Sequence, residues 1–426
     1  MDQDFTDPMD IETVRCPFPF YESLRNHAGP WDLPNVGFSL IGRYEDVSYA
    51  LADVDDFTAK VGPGLSRRMT PEVRAVLAEG YPRMNTLLAN DPPSHTRYRS
   101  LVKSAFSPRR VRSMEPSVRR VAQELAADLA AAGDDADFVE LFAQKLPLMV
   151  IADALGVPRK DLPAFKRWSD DSVAPLGGMI TPERELECHR SVNELQAYMV
   201  ERIEERRAAP QDDLLTDLIQ AQTEDQQPLT IPEILAIVHV ILVAGNETTT
   251  NLISSCMLML LDHPDVEERA RTDSDYLARV VEETLRREAP VQGTGRMNRG
   301  QVSLADEKVT ETTRIMAMIG AANLDESVFE NAQDFNPERS NVRSHLAFGK
   351  GIHTCLGSSL ARLEALVAFE ELFATFERFG LAANRDALAY HPNFILRALE
   401  SLPLQTVAQR SGEGHGCPVR SAAVEG

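Results

Sequence analysis

The segment His345-Leu346-Ala347-Phe348-Gly349-Lys350-Gly351-Ile352-His353-Thr354-Cys355-Leu356-Gly357 sets one cysteine among glycines at 349, 351 and 357. It runs into an apolar period, Leu356, Leu360, Leu363 and Val367, whose spacing predicts a helix with the cysteine at its start. A helix start offers unpaired backbone N–H groups and the positive end of the dipole, and both favour a thiolate. Glycines let the backbone approach a flat, bulky ligand. One thiolate presented this way suits a single axial position on a haem iron. Taken alone, a buried apolar cysteine on a glycine-rich turn accounts for the same residues.

Three other constellations could do chemistry. Ala244-Gly245-Asn246-Glu247-Thr248-Thr249 puts a carboxylate beside a hydroxyl. Such a pair can relay protons and hold a water, which splitting dioxygen requires, and Gly245 is expected to open room beside a ligand. A helix with a solvated polar patch reads equally well. Glu283-Thr284-Leu285-Arg286 sets opposite charges at i and i+3, ordinarily a minor surface ion pair. His95 and Arg99, at i and i+4 after Asp91-Pro92-Pro93-Ser94, share a helix face and could meet carboxylates. An exposed basic turn is the plainer alternative there.

The elements that must position these residues are mostly helical. A capping box at Thr230 and Glu233, with Pro232 in the first turn, starts a helix that can run to Asp262. At 1.5 Å per residue it is about 48 Å long, enough to cross a domain. Residues 45–52, 115–132, 139–155, 190–207, 211–222 and 275–289 also read as helices. Strand-like pieces lie at Gly37 to Ile41, Gln301 to Leu304 and Thr313 to Met318. Val61 to Pro93 reads as a long loop with one short helix. No repeat or linker divides residues 16–405, so one large domain is expected.

Composition narrows the function classes. Over 426 residues, 44 Lys and Arg against 65 Asp and Glu leave a net charge of −21, which argues against a nucleic-acid binder. Five scattered cysteines without a C-x-x-C pair argue against a disulfide framework and suit a reducing compartment. The acidic amino terminus carries no signal-peptide pattern. The most apolar run, Ile234 to Gly245, reads as too short to cross a bilayer, so a cytoplasmic protein without a membrane anchor is expected.

Phe348-Gly349-x-Gly351-x-His353-x-Cys355-x-Gly357 resembles the haem-binding loop of the cytochrome P-450 family of haem-thiolate monooxygenases. The other motifs match that family in order, and the likeness is closest to soluble bacterial members. It implies a mainly α fold with a small β region, one domain over 16–405 around a buried haem b, a flexible segment 1–15 and a mobile tail 406–426. Cys355 would be the axial ligand, a thiolate that pushes electron density onto the iron and favours O–O cleavage. Phe348, Gly349 and Gly357 would shape its loop, and His95, Arg99, Arg296 and His353 would hold the propionates. Glu247 and Thr248 match the family's acid–alcohol pair. Glu283, Arg286 and Arg339, the last in Phe335-Asn336-Pro337-Glu338-Arg339, match its internal ion network.

The resemblance implies insertion of one oxygen atom from O2 into a small, mostly hydrophobic organic substrate. Val243, Ala244, Val291, Gln292, Thr294 and Phe394 would line the substrate pocket. Electrons would come from NAD(P)H through a separate ferredoxin and ferredoxin reductase to a monomer, with Lys103, Arg109, Arg110, Arg112, Lys350 and Arg362 as a basic docking patch. Departures are local: Leu324 stands where members often have Arg, Ala398 where Gly is common, and the strand after Val309 lacks the usual Pro-Ala-Gly turn. Rival readings are non-insertive oxidation, a haem sensor, or a zinc protein using His353, Cys355, His415 and Cys417.

Overall fold

The computed structural model describes residues 7–33, 37–64, 69–134, 136–222 and 227–408. The helices are α1 (Ile11–Arg15), α2 (Phe18–Asn26), α3 (Tyr44–Ala52), α4 (Pro71–Glu79), α5 (Ser94–Lys103), α6 (Pro108–Ala132), α7 (Lys145–Ala154) and α8 (Leu162–Val173). They continue as α9 (Pro182–Ala208), α10 (Leu214–Gln220), α11 (Ile231–Asp262), α12 (Pro264–Thr272), α13 (Ser274–Arg287), α14 (Ile319–Ala322) and α15 (Ser358–Thr375). The strands are β1 (Trp31–Leu33), β2 (Phe38–Ile41), β3 (Phe57–Thr58), β4 (Ala136–Asp137), β5 (Thr294–Asn298), β6 (Val302–Leu304), β7 (Glu307–Val309), β8 (Arg314–Ala317), β9 (Phe376–Leu381) and β10 (Pro403–Ala408).

Several helices begin earlier than apolar period alone predicts, because the side chains that start them are polar. Ser107 caps α6 by accepting from Arg110 N, and Thr181 caps α9 by accepting from Arg184 N, each with proline in the first turn. The stretch 139–155 is not one helix: a π-helical turn over Val139–Ala143 precedes α7. In α11 the Thr230 N–H donates to Glu233 Oε2 at 2.8 Å, closing the capping box. Glu233 Oε1 also accepts from Arg97 Nη1 and Tyr98 Oη, both at 2.8 Å, so the start of α11 is tied to α5.

The small β region is larger than the sequence suggests. The main sheet has the order β1-β2-β8-β5-β3, with β2 and β8 parallel and β5 antiparallel to β8, Arg296 opposite Ile315. Strand β5 has no clean alternation of apolar residues, which is why period reading passes over it. The turn before β8 uses Thr312 at φ +63°, a left-handed position filled without glycine.

Both termini of the expected domain move outward. Residues 11–15 form α1, anchored by Arg15 Nη1 on the Asp386 carbonyl at 2.7 Å, instead of a flexible segment. Strand β10 runs to Ala408 because it pairs with β9 from Leu404 to Ala408, whereas β4 meets it only at Pro403 and Leu404, so residues 406–408 are strand.

Helix α11 packs against α7, α8, α13 and α15, and its second half is buried almost continuously from Thr249 to Leu260. Its 32 residues are apolar and long enough to cross a membrane by length and composition, contrary to the shorter run read from sequence. Its apolar sides lie instead in the main hydrophobic core, with α6, α7, α13 and α15. A second core cluster joins Phe20, Tyr21, Trp31, Phe38, Met318 and Phe394, and a third sits behind the main sheet.

Candidate active site

Cys355 lies two residues before Gly357, the N-cap of α15. Its N–H donates to the Phe348 carbonyl at 2.8 Å, which closes the loop on itself. Gly349 and Gly351 take φ +67° and +70°, and a Cβ on Gly351 would fall 2.9 Å from Ala52 Cα, so only glycine lets the loop lie against α3. The sulfur accepts from the backbone N–H groups of Gly357 and Ser358, and Arg362 and Arg99 stand near it. These contacts favour the thiolate, but burial outweighs them and pushes the free thiol up. By area Cys355 is nonetheless exposed, as is Ala244 midway along α11. Exposed surface at two such enclosed positions is what a flat group seated between them would cover.

Beneath the loop, the Glu282 carboxylate receives Arg362 Nε at 2.5 Å and Nη2 at 3.0 Å, and His345 Nε2 at 3.0 Å. His345 Nδ1 accepts from Ala347 N at 3.2 Å, so the ring proton sits on Nε2 and is donated to Glu282. Arg362 then lies over the Phe348 ring, 4.4 Å from its centroid. Burial opposes the Glu282 charge, but His345 and Arg362 prevail and hold the carboxyl down at about 2.

Four of the residues assigned to propionates converge. The His95 and His353 rings are 4.3 Å apart, Arg99 Nη2 donates to the Thr354 carbonyl at 2.6 Å, and Arg296 acts electrostatically on His353. Burial, Arg296 and His95 lower His353 to about 4, and burial lowers Arg296 to about 10 against the pull of Asp91. Among the described residues His95 Nε2 is buried without a partner, and Arg296, also buried, gives Nη1 only to its neighbour's carbonyl, Gly295 O, at 2.8 Å. Two guanidiniums and two neutral imidazoles are the complement of two carboxylates, so the donor set fits a haem. Asp91, read from sequence only as a helix-start residue, braces the group. It accepts from Thr58 Oγ1 and Ala59 N and pairs with Arg299 Nη2 at 2.7 Å.

On α11, Thr248 Oγ1 donates to the Ala244 carbonyl at 2.5 Å and keeps its acceptor lone pairs. Glu247 points toward α8, where Asp170 is its hydrogen-bond partner and Lys166 pairs with Asp170. Burial first, and then Asp170, raise the Glu247 carboxyl to about 7 against the pull of Lys166. Asn246 Nδ2 donates to Ser169 Oγ at 2.8 Å and fixes α11 on α8 at this level. Gly245 does not open room for a ligand as expected. A Cβ there would lie 3.0 Å from Ile151 Cδ1, so the glycine serves the approach of α7.

Glu283, Arg286 and Arg339 form one buried network. Arg286 Nε and Nη2 each reach Glu283 at 2.8 Å, and Arg339 Nε reaches it at 3.0 Å. Arg286 also donates to the Asn323, Ala332 and Asp334 carbonyls, which ties the segment before the cysteine loop to α13.

Of the pocket residues, Ala244 is exposed, Thr294 is half-buried on β5, and Val243 and Val291 pack half-buried against the second core cluster. Phe394 is a buried member of that cluster. Gln292 is buried, with Tyr21 Oη donating to its side-chain oxygen and its amide donating to the Ala289 carbonyl, and it lines a small cavity with Met318 and Phe394. His415 and Cys417 lie outside the described residues.

A profile of the cytochrome P-450 family matches residues 64–380. The chain belongs to the cytochrome P-450 family. It is 37% identical over 373 residues to Cytochrome P-450 107B1 of Saccharopolyspora erythraea, covering 86% of this chain and 88% of that protein. It is 33% identical to 6-deoxyerythronolide B hydroxylase of the same organism, covering 86% and 89%. Among solved structures, cytochrome P-450 CYP109Q5 from Chondromyces apiculatus superposes with a TM-score of 0.82 at 33% identity, covering 95% of this chain and 98% of that one. As a cytochrome P-450 the chain is a monooxygenase of hydrophobic substrates, with haem b as cofactor and O2 as co-substrate.

Sequence reading missed Asp91, Glu282, His345, Lys166 and Asp170. Each acts across a fold-level contact, and only the Asp91-Pro92-Pro93 motif carried a local signal.

Proposed function

We propose that the protein hydroxylates, epoxidises or dealkylates an apolar organic substrate, with Cys355 as axial haem ligand and Glu247 and Thr248 as the proton-delivering pair. The convergence of Arg99, Arg296, His95 and His353 on the cysteine loop carries this reading, since among the described residues neither guanidinium has a carboxylate in ion-pair contact. The haem supplies dioxygen activation when bound. Phe348, Gly349 and Gly357 would shape the loop that receives it, and Arg99, Arg296, His95 and His353 would hold its propionates. Glu247, poised near neutrality, passes protons from the Lys166–Asp170 pair toward the Thr248 hydroxyl. Glu283, Arg286 and Arg339 hold the fold beneath the loop. Val243, Ala244, Val291 and Phe394 form the apolar wall of the substrate pocket, with Gln292 and Thr294 as its polar groups, and a relative named as a hydroxylase supports insertion into a C–H bond.

Electrons come from NAD(P)H through a ferredoxin reductase and an acidic ferredoxin. Within the basic patch, Arg110 pairs with Asp212, Arg362 with Glu282, and Lys350 donates to Ser48 Oγ. Lys103, Arg109 and Arg112 form no ion pair among the described residues and are the cations left for a partner. Free Cys16, Cys188, Cys256 and Cys355 support a reducing, cytoplasmic setting, and the protein acts as a monomer. In the test, Cys355→Ala loses the red-shifted carbonyl band of the reduced protein, while Thr248→Ala keeps that band and loses product formed per NAD(P)H consumed. A Cys355→Ala protein that retains the band refutes the assignment.

A further inference from the structure

Arg362, which its sequence position places among the docking cations, is turned inward by the fold. Helix α13 carries Glu282, whose side chain is only 3% exposed, and its two carboxylate oxygens receive Arg362 Nε at 2.5 Å and Nη2 at 3.0 Å. This two-pronged pairing fixes the plane of the guanidinium as well as its position. His345 donates to the same carboxylate at 3.0 Å, so Glu282 is itself held from the loop side. A further cation near Glu282, Arg343, stands 3.8 Å away with its side chain 77% exposed.

The plane so fixed lies over Phe348, with the guanidinium carbon 4.4 Å from the ring centroid. Phe348 is also the residue whose carbonyl takes the Cys355 N–H at 2.8 Å, so the cation is seated on the segment that presents the sulfur. Among charged groups, Arg362 acts on Cys355 most strongly and Arg99 next. Glu282 meets the guanidinium at its edge and Phe348 meets its face, so the ion pair is a fixed dipole with its positive end on the cysteine loop. A loose surface cation would contribute little there, because solvent and salt screen it. One anchored on a buried carboxylate acts through protein, where the effective dielectric is lower. A fixed positive charge beside a thiolate-ligated iron disfavours the ferric state, which carries one more positive charge than the ferrous state.

We propose that Glu282 and His345 are positioning residues that clamp Arg362 under the cysteine loop, where its guanidinium raises the potential at which bound haem takes up one electron from its donor. In that step ferric haem becomes ferrous, the reduced ferredoxin is oxidised by the same electron, and no bond forms or breaks. This deepens the haem-thiolate reading and rests on it.

The test is a spectroelectrochemical titration of the purified holoenzyme with small mediators and no ferredoxin. It compares the wild type with Arg362→Gln, Arg362→Lys, Arg343→Gln and the paired variant Glu282→Gln/Arg362→Gln. Arg362→Gln should lower the ferrous-to-ferric ratio at a fixed potential about tenfold, a fall in midpoint of about 59 mV for one electron. Arg362→Lys keeps the charge and should recover at least half of that shift. The paired variant leaves no buried carboxylate unmatched, so it reports where the single variant fails to fold, and its midpoint should also fall. Arg343→Gln touches the same carboxylate from the solvent side and should leave the midpoint in place. An unchanged or raised midpoint in Arg362→Gln or the paired variant, no recovery in Arg362→Lys, or an equal fall in Arg343→Gln overturns the proposal. A role for Arg362 in docking alone would give that unchanged midpoint together with weaker, salt-sensitive ferredoxin binding. The carbonyl band of each reduced protein is recorded in parallel. Its absence from the wild type refutes the haem-thiolate reading, whereas its presence with an unchanged midpoint refutes only the role of Arg362.

Discussion

Replacing Glu283 by alanine tests whether the buried ion network holds the cysteine loop in place. Glu283 and Arg286 have fully buried side chains, and Arg339 is 5% exposed. The carboxylate accepts four hydrogen bonds of 2.8–3.0 Å, from Arg286 Nε and Nη2, Arg339 Nε and Asn336 N. Its removal leaves two guanidiniums buried, a loss of about 3–5 kcal/mol. Backbone carbonyls at Asn323, Ala332 and Asp334 still receive Arg286, which places the expectation near the lower end, about 3 kcal/mol. The control is Glu338→Ala, which breaks a pair with Arg269 whose side chains are 62% and 50% exposed. That pair, open to solvent and screened, should contribute little. Denaturant unfolding followed by circular dichroism measures both, and haem content after purification reports the loop. A Glu283→Ala midpoint that moves no further than that of Glu338→Ala would refute the reasoning.

Two further outcomes are expected. Glu364 is fully buried on α15, burial raises its carboxyl from 4.5 to about 8, and its Oε2 has no partner. Because the folded state binds this proton more tightly than the unfolded chain, the stability this one group contributes is greatest below pH 4.5 and falls as the pH rises toward 8, by about 5 kcal/mol. Glu364→Gln therefore gains on the wild type between pH 5.5 and 8.5 in urea titrations, and a gap that does not change with pH would contradict this. Asp170→Asn removes the acceptor facing Glu247 and should lower kcat about tenfold while KM and the carbonyl band stay in place. Steady-state turnover with excess ferredoxin measures it, and an unchanged kcat sinks the relay through α8.

Much of the site was legible because its signals are local. The Thr230–Glu233 capping box lies within one turn, and the thiolate-favouring position of Cys355 follows from the helix that begins three residues later. His95 and Arg99 share a face by helical spacing alone. Where the reading failed, the deciding partner was remote. The partner of Gln292 could not be read, because Tyr21, which donates to its side-chain oxygen, is 271 positions away. Gly245 looked like space for a ligand until α7 placed Ile151 against it. Strand β10 reaches Ala408 because β9 pairs with it, although residues 406–408 read as tail.

By itself, then, the sequence determined the local chemistry: a cysteine at a helix start, an acid beside an alcohol on one long helix, and charges at helical spacing. Only tertiary structure decided which of these groups lose water and what faces them. It buried Glu283 with Arg286 and Arg339, turned Glu247 toward Asp170, set Arg362 over Phe348 through Glu282, and brought Arg83 to His189. Hydrogen-bonding potential within a turn is written in neighbouring residues. Desolvation and ion pairing depend on elements far apart in the chain, and these set the charge and strength of every group in the site.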